Sequence, residues 1–540
     1  MKYDLIIHNG TILTIDEQKI AKAVAVNDGK IAQVWTSSFD INKENADQHY
    51  DLNGQTLIPG FIDTHNHILM YAKMKKQIYC GNPPHQNVEE LLTTIRTQAD
   101  ETEPGEWIIG WGYDDTMLEE QRHIIRDEID TVAPDHPVFI RHISGHLAVV
   151  NSKALDQCGI EDSVQDPSGG HFGRTADGKL DGVLYELPIL EMVMKHFKPI
   201  EKNELNDLMV EAAEDYIREG ITTNTDAAVG LDGGYQEFKE HMNAVTDGRF
   251  TLKMRYMVMD AVLNDAPFKD MTAEEVNAYI IDQSKGQGRF DSAKFFQDGS
   301  IQGYTGALRG GYHLDPEHNG ALIHEQVDLD QMFLKAHKRG FRIACHGNGD
   351  LAIESIISSL TKALDEVPRN HHLHRVEHLQ TAREEDLNRM QAYDIATSLF
   401  INHVYYWGDR HRNIFLGPER AQKLDPLQSV KDKGLLYTLH SDNPITPISP
   451  LFSIWAAVNR RTKDGHVLGE EERISVEEAL KTMTIYGAKL NNTEDENGSI
   501  KIGKAADFAV LSDHPFEIDP IELKNIQVVE TFISGKKQLN

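Results

Sequence analysis

Cysteine is scarce: three in 540 residues, Cys80, Cys158 and Cys345, with no C-x-x-C pair. That excludes a disulfide framework and a thiolate zinc knot, and it suits a reduced cytoplasmic compartment. Positive charge is also short, with Lys+Arg 54 against Asp+Glu 85 and a formal charge of -31. Nucleic-acid backbones and anionic membranes attract basic patches, so neither is expected as a partner. Long apolar runs are missing too. The opening Met1-Lys2-Tyr3-Asp4-Leu5-Ile6-Ile7 turns polar at His8-Asn9-Gly10, short of a signal-peptide core. No later run reaches the roughly 18 residues of a membrane span, so a soluble, unexported protein is expected.

What is present is periodic. Residues 3–35 alternate β-rich runs with glycine turns, and the tail repeats the pattern at Ile500–Gly503, Phe508–Leu511 and Val528–Gly535. We expect the two ends, 1–57 and 495–540, to pair into one small composite β domain. Between them, helices that close on glycine hand over to apolar strands: Asn203–Glu219 is helical, Gly220 stops it, and Ile221–Thr225 follows. With Leu57–Ile62 as the first, further strands are expected at Leu252–Met259, Ala293–Phe296, Phe341–Cys345, His372–Val376, Ile395–Phe400 and Leu435–Leu439. Eight alternating units over 58–494 imply an α/β fold, a (β/α)8 barrel of parallel strands. The gap between strands one and two is several times an ordinary connection, so an inserted subdomain at roughly 80–200 is expected to overhang the catalytic face.

The chemistry starts at Asp63-Thr64-His65-Asn66-His67, directly after the first apolar run. Two imidazoles two residues apart at a strand end point to one side and can close on one metal ion. With 26 His in the chain, such a pair can arise by chance, and His372-Leu373-His374 is a second instance. The strand-end context and the residues downstream separate the two. Lys294 lies in the fourth expected strand, His346 ends the fifth, His378 the sixth, and Asp442 the eighth. Convergence of these side chains on one barrel mouth suits zinc or another divalent ion. His371, His372 and His374 precede a strand's catalytic end and read as structural or solvent-facing.

The order H-x-H, Lys, His, His, Asp on strands one, four, five, six and eight resembles the amidohydrolase superfamily. Gly110-Trp111-Gly112-Tyr113-Asp114, Gly145-His146 with Asn151-Ser152-Lys153-Ala154-Leu155, and Lys294 before Asp298-Gly299 are similar to its amidohydrolase 3 group, which includes N-substituted formamide deformylase. The resemblance covers nearly the whole chain. It implies that His65 and His67 bind one metal, His346 and His378 a second, and that Lys294, carboxylated by carbon dioxide, bridges the two as an anionic carbamate. It implies one or two divalent ions, zinc first, a metal-activated hydroxide, and Asp442 as weak ligand and general base in hydrolysis of an amide, N-acyl or N-formyl C–N bond. A small amide-type substrate and a homodimer follow by the same analogy.

Alternatives stay open at this stage. A deaminase or cyclic-amide hydrolase of the same fold is the rival enzyme, disfavoured by Lys294, and a non-catalytic regulatory relative is disfavoured by the full ligand set. Lys294 could instead pair with Asp298, and His440, where relatives are expected to carry a small residue, could contact substrate or fill space. Trp111, Tyr113, Asp114, His142, His146 and Asp298 are candidate substrate contacts, against a packing role for each. Asp226 is a further wall candidate without a derived role.

Overall fold

The computed structural model describes residues 2–17, 19–37, 39–167 and 169–538. The chain divides into two compact units, one of Met1–Leu69, Met209–Asp298 and Gly306–Asn540, the other of Met70–Leu208 and Gly299–Thr305.

The first unit is built on eight parallel strands in chain order. They are β1 (Phe61–Asn66), β2 (Ile221–Val229), β3 (Lys253–Met259), β4 (Gly288–Phe296), β5 (Ile343–Gly347), β6 (Arg375–His378), β7 (Ala396–Leu399) and β8 (Tyr437–Leu439). Helices such as Gln326–Lys338 and Asp350–Glu366 cover the outside, which is why most of these strands are buried along their whole length and read as apolar runs. β8 and β1 share no ladder, but the sheet nearly closes there. Thr64 Oγ1 and Thr438 Oγ1 lie 2.8 Å apart, Asp442 N donates to His65 O at 3.2 Å, and His67 N donates to Asn443 O at 2.7 Å.

A second sheet in this unit joins the two ends of the chain. Thr56–Pro59 lies between Lys2–Leu13, which it meets in parallel, and Phe508–Leu511, which it meets antiparallel. Ile7, Ile12, Val24, Leu57, Phe508 and Val510 bury its inner face.

Several expected strands differ in their bounds, and three departures have a plain local reason. Leu57–Ile62 is not one strand: Thr56–Pro59 belongs to the end sheet and Phe61–Asn66 to the barrel. Gly60 N bonds Asp507 O and Phe61 N bonds Gly220 O, both at 2.9 Å, so the backbone changes sheets within one residue. Only glycine fits there, since a Cβ on Gly60 would sit 2.3 Å from Thr222 Cγ2. The sixth strand begins at Arg375, not His372, because His371 and Leu373 adopt φ of +50° and cannot continue an extended ladder. Ile500–Gly503 is not a strand; Ile500 N bonds Thr14 O and Gly503 N bonds Ile31 O, both at 2.8 Å, without a ladder between them. The solvent-facing reading also fails for His372 and His374, which are buried while His371 is exposed.

The second unit carries a six-stranded sheet in the order His171–Arg174, Leu180–Tyr185, Leu147–Val150, Val138–His142, Ile108–Tyr113, Ile78–Tyr79. Its helix Val88–Glu101 starts where Asn87 Oδ1 accepts from Glu90 N, and Ser152–Cys158 starts where the Asn151 side chain accepts from Ala154 N. Among the described residues the three cysteines are free, and no helix is long and apolar enough to cross a membrane.

Candidate metal centre

Barrel strands deliver side chains to the mouth at their C-terminal ends. β1 brings His65, with His67 one residue beyond it. Asp442, three residues past β8, lies with its Oδ1 3.4 Å from His65 Nε2 and 3.3 Å from His67 Nε2. One ligand atom from each of these three residues falls within 4.8 Å of the others, close enough for one ion. Beside them, His378 Nε2 on β6 faces His346 Nδ1 on β5 at 3.0 Å, and the rings of His65 and His378 are 4.8 Å apart. Lys294, on β4, is fully buried, and among the described residues its Nζ has no hydrogen-bond partner. It lies 4.9 Å from the Phe296 ring centre and does not pair with Asp298.

The electrostatics suit cation binding. Burial, with Lys294 and the neighbouring imidazoles, holds His65 well below its usual range; burial, with His346 and His440 next, does the same to His378. Neutral imidazoles keep the lone pairs that bind metal. Burial also lowers Lys294, against the pull of Glu377 and Asp442. Burial works against ionisation of Asp442, but His67, His440 and Lys294 outweigh it and bring the carboxyl down to about 2. A buried amine without a partner, ringed by neutral imidazoles and an anionic carboxylate, is a donor set that fits one or two divalent ions.

Each inner imidazole is oriented from behind, as metal-binding histidines commonly are. Glu377 meets His65 Nδ1 with one carboxylate oxygen and Arg375 Nε at 2.5 Å with the other. His440 Nε2 lies 3.1 Å from His378 Nδ1, its Nδ1 2.8 Å from Ser398 Oγ, and its ring stacks on His65 at 4.6 Å. Burial pushes His440 down to about 3. Asn348 Nδ2 approaches His346 Nε2 at 3.0 Å. Glu377, Ser398 and Asn348 escaped the sequence reading, although Glu377 sits next to His378 on a strand with both faces buried. Asp298 accepts from Asn348 N at 3.0 Å, Ala307 N at 2.9 Å and Gly349 N at 2.7 Å, so its carboxylate orders the loop after β5. Asp226, on β2, accepts from Leu69 N at 3.4 Å and faces His241 Nε2 at 3.5 Å.

The remaining sequence candidates lie in the second unit. Trp111 packs edge-on against Tyr79, and buried Tyr113 places its hydroxyl 3.1 Å from His123 Nδ1. His142 Nε2 meets Asp115 Oδ1 at 3.1 Å, with Asp114 at the edge of the same group. His146 Nδ1 meets Glu186 Oε2 at 2.8 Å.

A sequence model of the amidohydrolase family matches residues 48–537. The chain belongs to the amidohydrolase family. N-substituted formamide deformylase of Arthrobacter pascens is 29% identical to it, with 98% of this chain and 97% of the relative covered. Two solved structures, titled as uncharacterized metal-dependent hydrolases of Pyrococcus horikoshii OT3 and Pyrococcus furiosus, share the amidohydrolase fold with TM-scores of 0.74 and 0.70 at 20% and 22% identity. Each alignment covers 96% of this chain and 99% of the other. The chain is thus an amidohydrolase-family metal-dependent hydrolase.

Proposed function

We propose that this amidohydrolase cleaves the C–N bond of a small amide, N-formyl or N-acyl compound. The observation that carries the reading is the convergence of His65, His67, His346, His378 and Asp442 around the unpartnered amine of Lys294. His65, His67 and Asp442 would hold one divalent ion, zinc first, and His346 and His378 a second, with Lys294 joining them as a carbamate. Ions bound there supply Lewis acidity, polarising the carbonyl and making water acidic enough to ionise near neutral pH.

The chain's own groups do the rest. Asp442, kept anionic, takes the proton from water at Oδ1 and returns it to the leaving nitrogen as the C–N bond breaks. Glu377 and His440 hold His65 and His378 in their tautomers and directions. The deformylase relative supports a nitrogen-bearing substrate with a small acyl group. A screen of N-formyl, N-acyl and cyclic amides against metal-replete protein, read by amine release, tests the proposal. Release from N-formyl or N-acyl members is expected, reduced by at least roughly a hundredfold in Asp442→Asn. No release from any compound, or a full rate in that variant, would sink it.

A further inference from the structure

His403 and Asp425 form a second polar pair in the barrel unit, and no role above uses it. His403 stands on the short helix Asn402–Tyr406 that follows β7, on the face where the metal centre lies. The helix is pinned to the segment after Asp442 by Asn402 Nδ2, which donates to Thr446 Oγ1 at 2.8 Å. One aromatic ring bridges His403 to the centre: the Phe400 ring lies 4.3 Å from His403, 5.4 Å from His440 and 6.0 Å from His378. Asp425 is fully buried, and among the described residues neither carboxylate oxygen has a hydrogen-bond partner. Its Oδ1 faces His403 Nδ1 at 3.7 Å. Arg460, the nearby cation, is spent on the Asp425 backbone carbonyl at 2.9 Å. Packing among Phe400, Trp407 and His411 accounts for the His403 ring. It does not account for a fully buried carboxylate set against the imidazole with no hydrogen-bond partner among the described residues, a costly arrangement that points to a role for the pair.

We propose that His403 is a specificity-determining residue of this site: the Asp425 carboxylate, which faces Nδ1, favours the ring proton on that nitrogen, and Nε2 accepts the N–H of a secondary amide. The inference rests on the hydrolase reading and sharpens it to N-monosubstituted amides over N,N-disubstituted ones. A tertiary amide has no N–H to offer, so Nε2 would be left desolvated and unpaired beside it.

The test uses formanilide and N-methylformanilide with the metal-replete protein, following turnover by amine release and binding by calorimetry. The wild type is expected to prefer formanilide roughly tenfold or more in kcat/KM. His403→Leu should collapse that preference to about one while metal content stays as in the wild type, and His403→Gln, whose side-chain amide can still accept, should restore most of it. Equal treatment of the pair by the wild type, or a preference that survives in His403→Leu, overturns the inference. Absence of all turnover would count against the hydrolase reading instead. Binding then decides the inference alone: tighter binding of formanilide that His403→Leu abolishes supports it, and equal binding overturns it.

Discussion

Replacing Glu377 by Gln isolates what the outer partners do for the metal ligands. Glu377 is fully buried, with His65 Nδ1 against one oxygen and Arg375 Nε 2.5 Å from the other. Gln keeps the volume and one acceptor but withdraws the charge that fixes the proton on Nδ1 and strengthens Nε2 as a donor to metal. Loss of such a partner typically weakens metal affinity about 10- to 100-fold, or about 1.4–2.8 kcal/mol at 1.4 kcal/mol per decade. Competition with a chromophoric chelator reads the metal Kd, and circular dichroism checks the fold. Glu377→Leu should add a stability loss of about 3–5 kcal/mol, because Arg375 then loses one buried partner and keeps only Asp291, 3.0 Å from its Nη2. A Glu377→Gln protein whose metal Kd stays within about twofold of the wild type would refute the claim that this carboxylate tunes His65.

Asp298→Asn should destabilise the protein by about 2–3 kcal/mol in urea unfolding, since charge-assisted bonds to backbone amides weaken and one amide faces an NH2 group instead of an oxygen; an unchanged midpoint would show that the loop is ordered by other contacts. Acid should weaken the fold through His374. Its Nδ1 accepts from Ile343 N at 3.0 Å and its Nε2 faces His337 Nδ1 at 2.9 Å, and burial holds it well below 6.5. The unfolded chain takes up a proton near 6.5 where the folded one does not, so this contribution is present above that pH and lost as pH falls, by up to about 1.4 kcal/mol per unit. His374→Gln should flatten the drop in urea midpoint between pH 7.5 and 5.5, and an identical slope in both proteins would contradict the assignment.

The barrel was legible because parallel strands covered on both faces are apolar throughout, and because its polar residues cluster at strand ends. β4 begins at Gly288, five residues before the expected Ala293, because its first half carries Arg289, Asp291 and Ser292 and breaks the apolar pattern. Inside the barrel, Asp291 is neutralised by Arg375 from β6, a pairing across 84 positions that no local pattern announces. The split at Gly60 was hidden by an unbroken apolar run; only the approach of Thr222 exposes it. At the barrel mouth, His65, His67, His346, His378 and Asp442 stand out in the sequence by residue type at strand ends, whereas Lys294 is suggested by the family resemblance. Glu377, Ser398 and Asn348 did not, because their significance lies in which imidazole nitrogen each one meets. His440 was noticed only as an oddity, and the structure gives it two partners in Ser398 and His378.

The proposed hydrolysis requires a metal centre at this barrel mouth. Metal content by mass spectrometry, measured on the purified protein and on His65→Ala/His67→Ala, tests it most directly. One or two tightly held divalent ions per chain are expected, with a substantial loss in the double variant. A protein that holds no zinc, manganese or iron even after reconstitution, or a double variant that keeps its full complement, would contradict it.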